Sequence, residues 1–214
     1  MQDTAMKNSR ALVVLGLAAC GSTTPKANTG GGVAKATGDV TSALFEHGKS
    51  WTFALETKTT PPIDMGEPTV TADGKLTCTI ESVKTVGNVS VAKMTCTGPG
   101  DALPTMYWLR NAQGLWGYYS GIDEAELAKH VANPNPKEML LATVPVAHSS
   151  EAKDDEGALA VHWAKPGDAG AWCFGYTFAM GDEAGWEICL KADVGIVSGN
   201  WFDAGATTTE HRYK

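Results

Sequence analysis

Residues 75–97, KLTCTIESVKTVGNVSVAKMTCT, decide the fold. Apolar and polar side chains alternate with period two on either side of Gly87-Asn88, the pattern of two half-buried strands joined by a tight turn. If the hairpin folds about Gly87, residues equidistant from it oppose one another, and Cys78 and Cys96 each lie nine residues away. In that register Leu76, Cys78, Ile80, Ala92, Met94 and Cys96 share one face. Lys75, Thr77, Thr79, Glu81, Lys93, Thr95 and Thr97 share the other. The apolar division and the cysteine pairing reach the same register independently, which predicts a Cys78–Cys96 disulfide.

A second hairpin repeats the logic. Cys173 and Cys189 each lie eight residues from Gly181, within a turn expected over 180–185. On this register Trp172, Phe174, Tyr176, Trp186, Ile188 and Leu190 line one face. Cys173 and Cys189 lie on the other, with Gly175 and Thr177. Each bridge closes a loop of roughly 15–20 residues, worth about 3 kcal/mol by chain entropy. The rival readings are free thiols and a zinc site. Zinc favours two CxxC-like knuckles, or cysteines with closely spaced histidines, and the chain has neither. No metal and no cofactor is expected.

Outward from these hairpins, further alternating segments occupy 49–57, 105–110, 115–120, 140–146, 158–163, 195–202 and 207–213, separated by turn residues such as Asp73-Gly74 and Asn111–Gly114. Strands at short intervals imply a mainly β fold: a single antiparallel meander forming a strongly curved sheet or barrel, with a sandwich fitting the same pattern. One short helix is expected near 123–132. Asp123 and Glu126 have capping-box spacing, and Asn133-Pro134 ends it. Residues 149–157, SSEAKDDEG, read as a solvated acidic loop, because they lack the alternating ligands of a calcium loop.

Composition narrows function. The 214 residues carry a net charge of −7, which argues against a nucleic-acid partner, since binding phosphates needs clustered Lys and Arg. Hydrophobic residues at 43% exclude a wholly disordered chain. No apolar run reaches the roughly 18–20 residues that span a bilayer as a helix.

The amino terminus carries an address. Lys7 and Arg10 precede the apolar run ALVVLGLAA at 11–19, which ends at Cys20-Gly21, the layout of an export signal. Leu17-Ala18-Ala19-Cys20-Gly21 resembles the lipobox of bacterial lipoproteins. The resemblance implies cleavage before Cys20, acylation of its thiol and a membrane tether formed by lipid; two or three acyl chains hold firmly where one does not. Gly21, in place of Asp after the cysteine, resembles an outer-membrane address in a Gram-negative envelope. An exported chain meets an oxidising compartment, where disulfides persist. The expected divisions are a signal peptide at 1–19, the acylated Cys20 with a flexible Gly/Ser/Thr-rich linker at 20–40, and a β-rich domain at 41–214. In style the body resembles the small uncharacterised β-rich lipoproteins of Gram-negative envelopes. Gly48-Lys49-Ser50-Trp51 looks like the Gly-x-Trp start of lipocalins with one residue too many, a hint of barrel architecture.

Seven tryptophans and five tyrosines supply candidate binding residues. Trp108, Trp116, Tyr118 and Trp186 are the rings that a cavity or platform for a lipid, peptide or glycan would use; the plainer reading, that such rings fill the core of a curved sheet, is preferred. Catalytic patterns are missing. Gly117–Gly121 (GYYSG) and Gly195–Gly199 (GIVSG) have the wrong spacing for a nucleophile elbow, and the histidines at 47, 130, 148, 162 and 211 are scattered. The expectation is a non-enzymatic binding or accessory module whose partner is an envelope protein, lipid or glycan. A carrier enclosing an apolar ligand is the alternative, and an envelope hydrolase the third reading.

Overall fold

The computed structural model describes residues 35–62, 65–99, 105–119, 123–133, 140–143, 145–155, 158–180 and 182–214. The expected export signal, the lipobox-like Cys20 and most of the expected linker, residues 1–34, lie outside the described residues. The strands are β1 (Ser50–Thr60), β2 (Thr69–Val86), β3 (Val89–Thr97), β4 (Met106–Arg110), β5 (Gly114–Tyr119), β6 (Leu140–Thr143), β7 (Ser149–Asp155), β8 (Ala158–Pro166), β9 (Trp172–Met180), β10 (Asp182–Lys191), β11 (Gly195–Ala204) and β12 (Thr208–Tyr213). One helix, α1 (Glu124–Ala132), follows β5, and its Asp123 cap accepts a hydrogen bond from the Glu126 N–H at 2.7 Å.

All strands belong to one antiparallel sheet, in the order β6-β5-β4-β3-β2-β1-β12-β11-β10-β9-β8-β7. Consecutive strands are neighbours except β6 and β7, the two sheet edges, and β1 pairs with β12, which makes the expected single meander. The sheet curls until β6 lies against β8 and β9, nearly closing a barrel. The acidic stretch expected to be a loop is instead β7, paired with β8 from Ser149↔Ala164 to Asp155↔Ala158. Charge suits an edge strand, which must discourage pairing with other chains, and this explains why its polarity was deceptive.

Both cysteine registers hold. Cys78 opposes Cys96 and Cys173 opposes Cys189, and both pairs are disulfides. The β2–β3 turn is the two-residue Gly87-Asn88 between Val86 and Val89, so symmetry about Gly87 cannot extend to the tip. A bulge at Glu81 absorbs the odd residue: Ile80 pairs with Met94 and Ser82 with Lys93.

The concave face holds the core, including Phe53, Leu76, Ile80, Met94, Trp108, Phe174, Trp186 and Ile188. A 3-10 turn, Ser42–Phe45, buries Ala43 and Leu44 against β2, β3 and β11 and caps one end. Arg110 holds it there, donating to Asp39 at 2.6 Å and to the Thr41 hydroxyl at 3.1 Å while lying 4.4 Å over the Phe45 ring. Gly195 (φ +88°) makes the fit possible, because a Cβ there would come within 2.4 Å of the Trp51 ring. On the convex side, α1 packs Leu127 and Val131 over Val89, Val91, Leu109, Trp116 and Tyr118.

Candidate functional site: an aromatic mouth and a groove beneath the helix

The strands are staggered. β3 ends opposite Thr77 of β2, whereas β1, β2 and β8–β12 continue beyond that level. Along this extension the concave face changes character. In β1 the inward series runs Trp51, Phe53, Leu55, then Thr57 and Thr59; in β12, read backwards, it runs Tyr213, His211, Thr209. Registers across seven strands line up one row: His162, Tyr176, Trp186, Trp201, His211, Thr57 and Thr71. Directly paired residues share a face, so this row forms the rim between filled core and open mouth.

Within the row, Trp201 and His211 stack with centroids 4.6 Å apart and planes 18° apart. A 2.7 Å hydrogen bond joins the Thr57 hydroxyl and His211 Nδ1, fixing the imidazole. Farther along, His162 packs against Tyr176 at 4.8 Å. Tyr213 lies below, its ring 6.1 Å from Trp201 and 5.2 Å from Phe53. Its hydroxyl rests over Gly199, where a Cβ would come within 2.1 Å of it. Burial pushes the Tyr213 hydroxyl well above its usual pKa, with the Glu187 charge acting the same way, and burial also raises Tyr176. Above the stack opens a hollow of about 720 Å³, lined by Ala184, Trp201, Asp203, Thr207, Thr209 and His211 among others. Aromatic rings thus stand beside hydroxyls and a carboxylate.

The four rings singled out from sequence do not gather in one place. Trp108 and Trp186 meet edge to face inside the sheet, centroids 6.3 Å apart, and both are buried. Trp116 and Tyr118 lie on the convex side under α1, where Tyr118 packs 4.8 Å from His130. Trp201 and His211 escaped the sequence reading. The signal that reveals them is the change from apolar to hydroxyl-bearing residues along one face of β1, together with its partner β12.

A second hollow, about 500 Å³, lies on the convex side between α1 and the β2–β3–β4 surface. Its apolar wall comes from Val91, Tyr107, Leu127 and Val131, and its rim from Glu81, Lys84 and Lys93. Lys93 pairs with Glu81 at 2.7 Å, and hydrogen bonds from Lys93 and Thr95 hold the Glu81 carboxyl below its usual pKa.

Among the described residues, the group of His, Cys, Asp and Glu side chains close enough to share a metal is Cys173, Glu187 and Cys189. Its two sulfurs are joined to each other, and a disulfide does not offer the thiolates that bind zinc. Glu187 instead pairs with Lys165 at 2.6 Å and accepts from the Trp163 indole at 3.2 Å. The Thr57–His211 contact has the reach of an activated nucleophile, yet no carboxylate bonds the imidazole among the described residues. No protein-family model, curated protein or solved structure matches this chain.

Proposed function

We propose that this chain is a non-enzymatic binding module of a Gram-negative cell envelope, held at the outer membrane by a lipid on Cys20, with the concave mouth as its recognition surface. The observation that carries this reading is the Trp201–His211 stack beside Thr57, Asp203 and Thr209, around a hollow within the size range of ligand sites. Of the lipid, peptide and glycan classes, a lining of rings interleaved with hydroxyls and a carboxylate favours the glycan. The separation of Trp108 and Trp186 from Trp116 and Tyr118 supports a module over a carrier with one ring-lined barrel cavity. The lipobox-like Cys20 supports the tether, and the two disulfides accord with an oxidising compartment.

The tether is tested by radiolabelled palmitate incorporation in cells. Wild type takes up label and Cys20→Ser does not; an unlabelled wild type removes the anchor. Recognition is tested on an array of envelope glycans. Trp201→Ala is expected to weaken the strongest retained glycan more than about tenfold, as loss of an aromatic anchor does. Equal retention by both proteins contradicts the mouth as the binding surface.

A further inference from the structure

The groove beneath α1 differs from the mouth in chemistry and lies on the other face of the sheet. Its wall is apolar: Val91 and Tyr107 from the strands, Leu127 and Val131 from the helix. The hairpin tip extends the apolar surface, since Val86 lines the groove and stays 52% exposed. Its polar groups are Glu81, Ser82 and Lys84 of β2, Lys93 of β3 and the Tyr107 hydroxyl of β4. There Glu81 neutralises Lys93, and Lys84 carries a positive charge with no ion-pair partner among the described residues. The Lys84 cation beside an apolar wall fits an apolar ligand ending in an anion. The volume of about 500 Å³ is in the range of small-molecule sites.

We propose that this groove binds a free long-chain fatty acid, its alkyl chain against Val91, Leu127 and Val131 and its carboxylate at Lys84. The site does not depend on glycan recognition at the mouth. Burying the alkyl chain drives binding, and the Lys84 contact sets orientation and preference for the anion.

The test uses the full 214-residue chain and a dansyl-tagged long-chain fatty acid, displaced by palmitate or by the matching uncharged alcohol. Wild type should enhance the dansyl emission, and palmitate should reverse it. Ala128→Trp, at an exposed helix position lining the groove, should block the hollow and abolish binding without touching the core. Lys84→Glu should weaken palmitate roughly three- to tenfold and leave the alcohol within about twofold, because a solvent-exposed charge contact is modest. Trp201→Ala should leave fatty-acid binding unchanged, so failure of the mouth and failure of the groove are told apart. The idea is overturned if wild type gives no enhancement, or if Ala128→Trp binds as wild type does. Sedimentation of wild type as a dimer that Ala128→Trp dissociates would overturn it in favour of self-association.

Discussion

The β2–β3 and β9–β10 hairpins are each closed by a disulfide between directly opposed residues, yet one bridge lies inside the curve of the sheet and the other outside. In the first, Cys78 and Cys96 belong to the main core, alongside Leu76, Ile80 and Met94. In the second, parity hands the inner face to Trp172, Phe174, Trp186 and Ile188. That leaves Cys173 and Cys189 in a small outer cluster with Ala171 and Val197. The convex surface of the first hairpin gains its cover from α1, whereas the second is shielded by its own cystine and by the Lys165–Glu187–Trp163 network. The same covalent bond thus fills the main core in one place and builds a small buried cluster on the convex face in the other. The side is set by which neighbours must be buried, since a strand's alternation leaves no third choice.

The largest expected effect comes from disturbing that parity where nothing absorbs it. Deleting Glu187 shifts Ile188, Cys189 and Leu190 by one place in a β9–β10 ladder that has no bulge, so the apolar residues turn outward. Loss of a cooperative melt and of the Cys173–Cys189 peptide in a non-reducing digest is expected; a native melt with the bridge intact breaks the comparison. Next come the paired substitutions. The sequence separations are 18 and 16 residues, so the loop-closure terms nearly match at about 3 kcal/mol. Cys78→Ala with Cys96→Ala also leaves a cavity in the main core, and denaturant melts should show it costing about 4–5 kcal/mol against about 3 for Cys173→Ala with Cys189→Ala. Equal losses would mean that the inner cystine contributes no packing.

Alkali and acid separate the regions further. Tyr213 has a folded-state pKa above its unfolded value, so the unfolded chain loses its proton first as pH rises past about 10. Stability is full below that pH and falls above it, by about 1.4 kcal/mol per pH unit for this group, and Tyr213→Phe should flatten the slope. Glu81 has the opposite sign: its lowered pKa gives a contribution that is lost as pH falls through the folded value. Because Glu81 is exposed, acid should register there only weakly. The smallest effect expected is deletion of Glu81 itself. Removing the bulge residue leaves Ile80 inward and Ser82 outward, so the melt should stay cooperative with its midpoint close to that of wild type. A loss as large as that for deleting Glu187 would show that the bulge is required.

Much of this fold is legible in period-two alternation, because an antiparallel sheet with one filled face writes its register into the side chains. The cysteine positions sharpened that reading at both hairpins, and Asp123 marked the helix. The β7 segment was lost since its polarity reports an edge, which resembles a loop. The bulge at Glu81 is invisible to a symmetric mirror about Gly87, although the Gly87-Asn88 turn requires an odd residue somewhere. The site was harder to see. Tryptophans at 108, 116 and 186 stand out in composition, but burial follows from strand order, which no single segment contains. Trp201 and His211 become neighbours only through the β11–β12 pairing, and Thr57 joins them only because β1 meets β12 across the chain.

The proposed recognition surface is tested most directly by amide and indole NMR during titration with whichever glycan of an envelope array gives the strongest retention. Shifts should concentrate at Thr57, Ala184, Trp201, Asp203, Thr209 and His211, with the Trp201 indole proton among the largest. Shifts confined to the convex face, or no shifts at saturating glycan, would contradict the account.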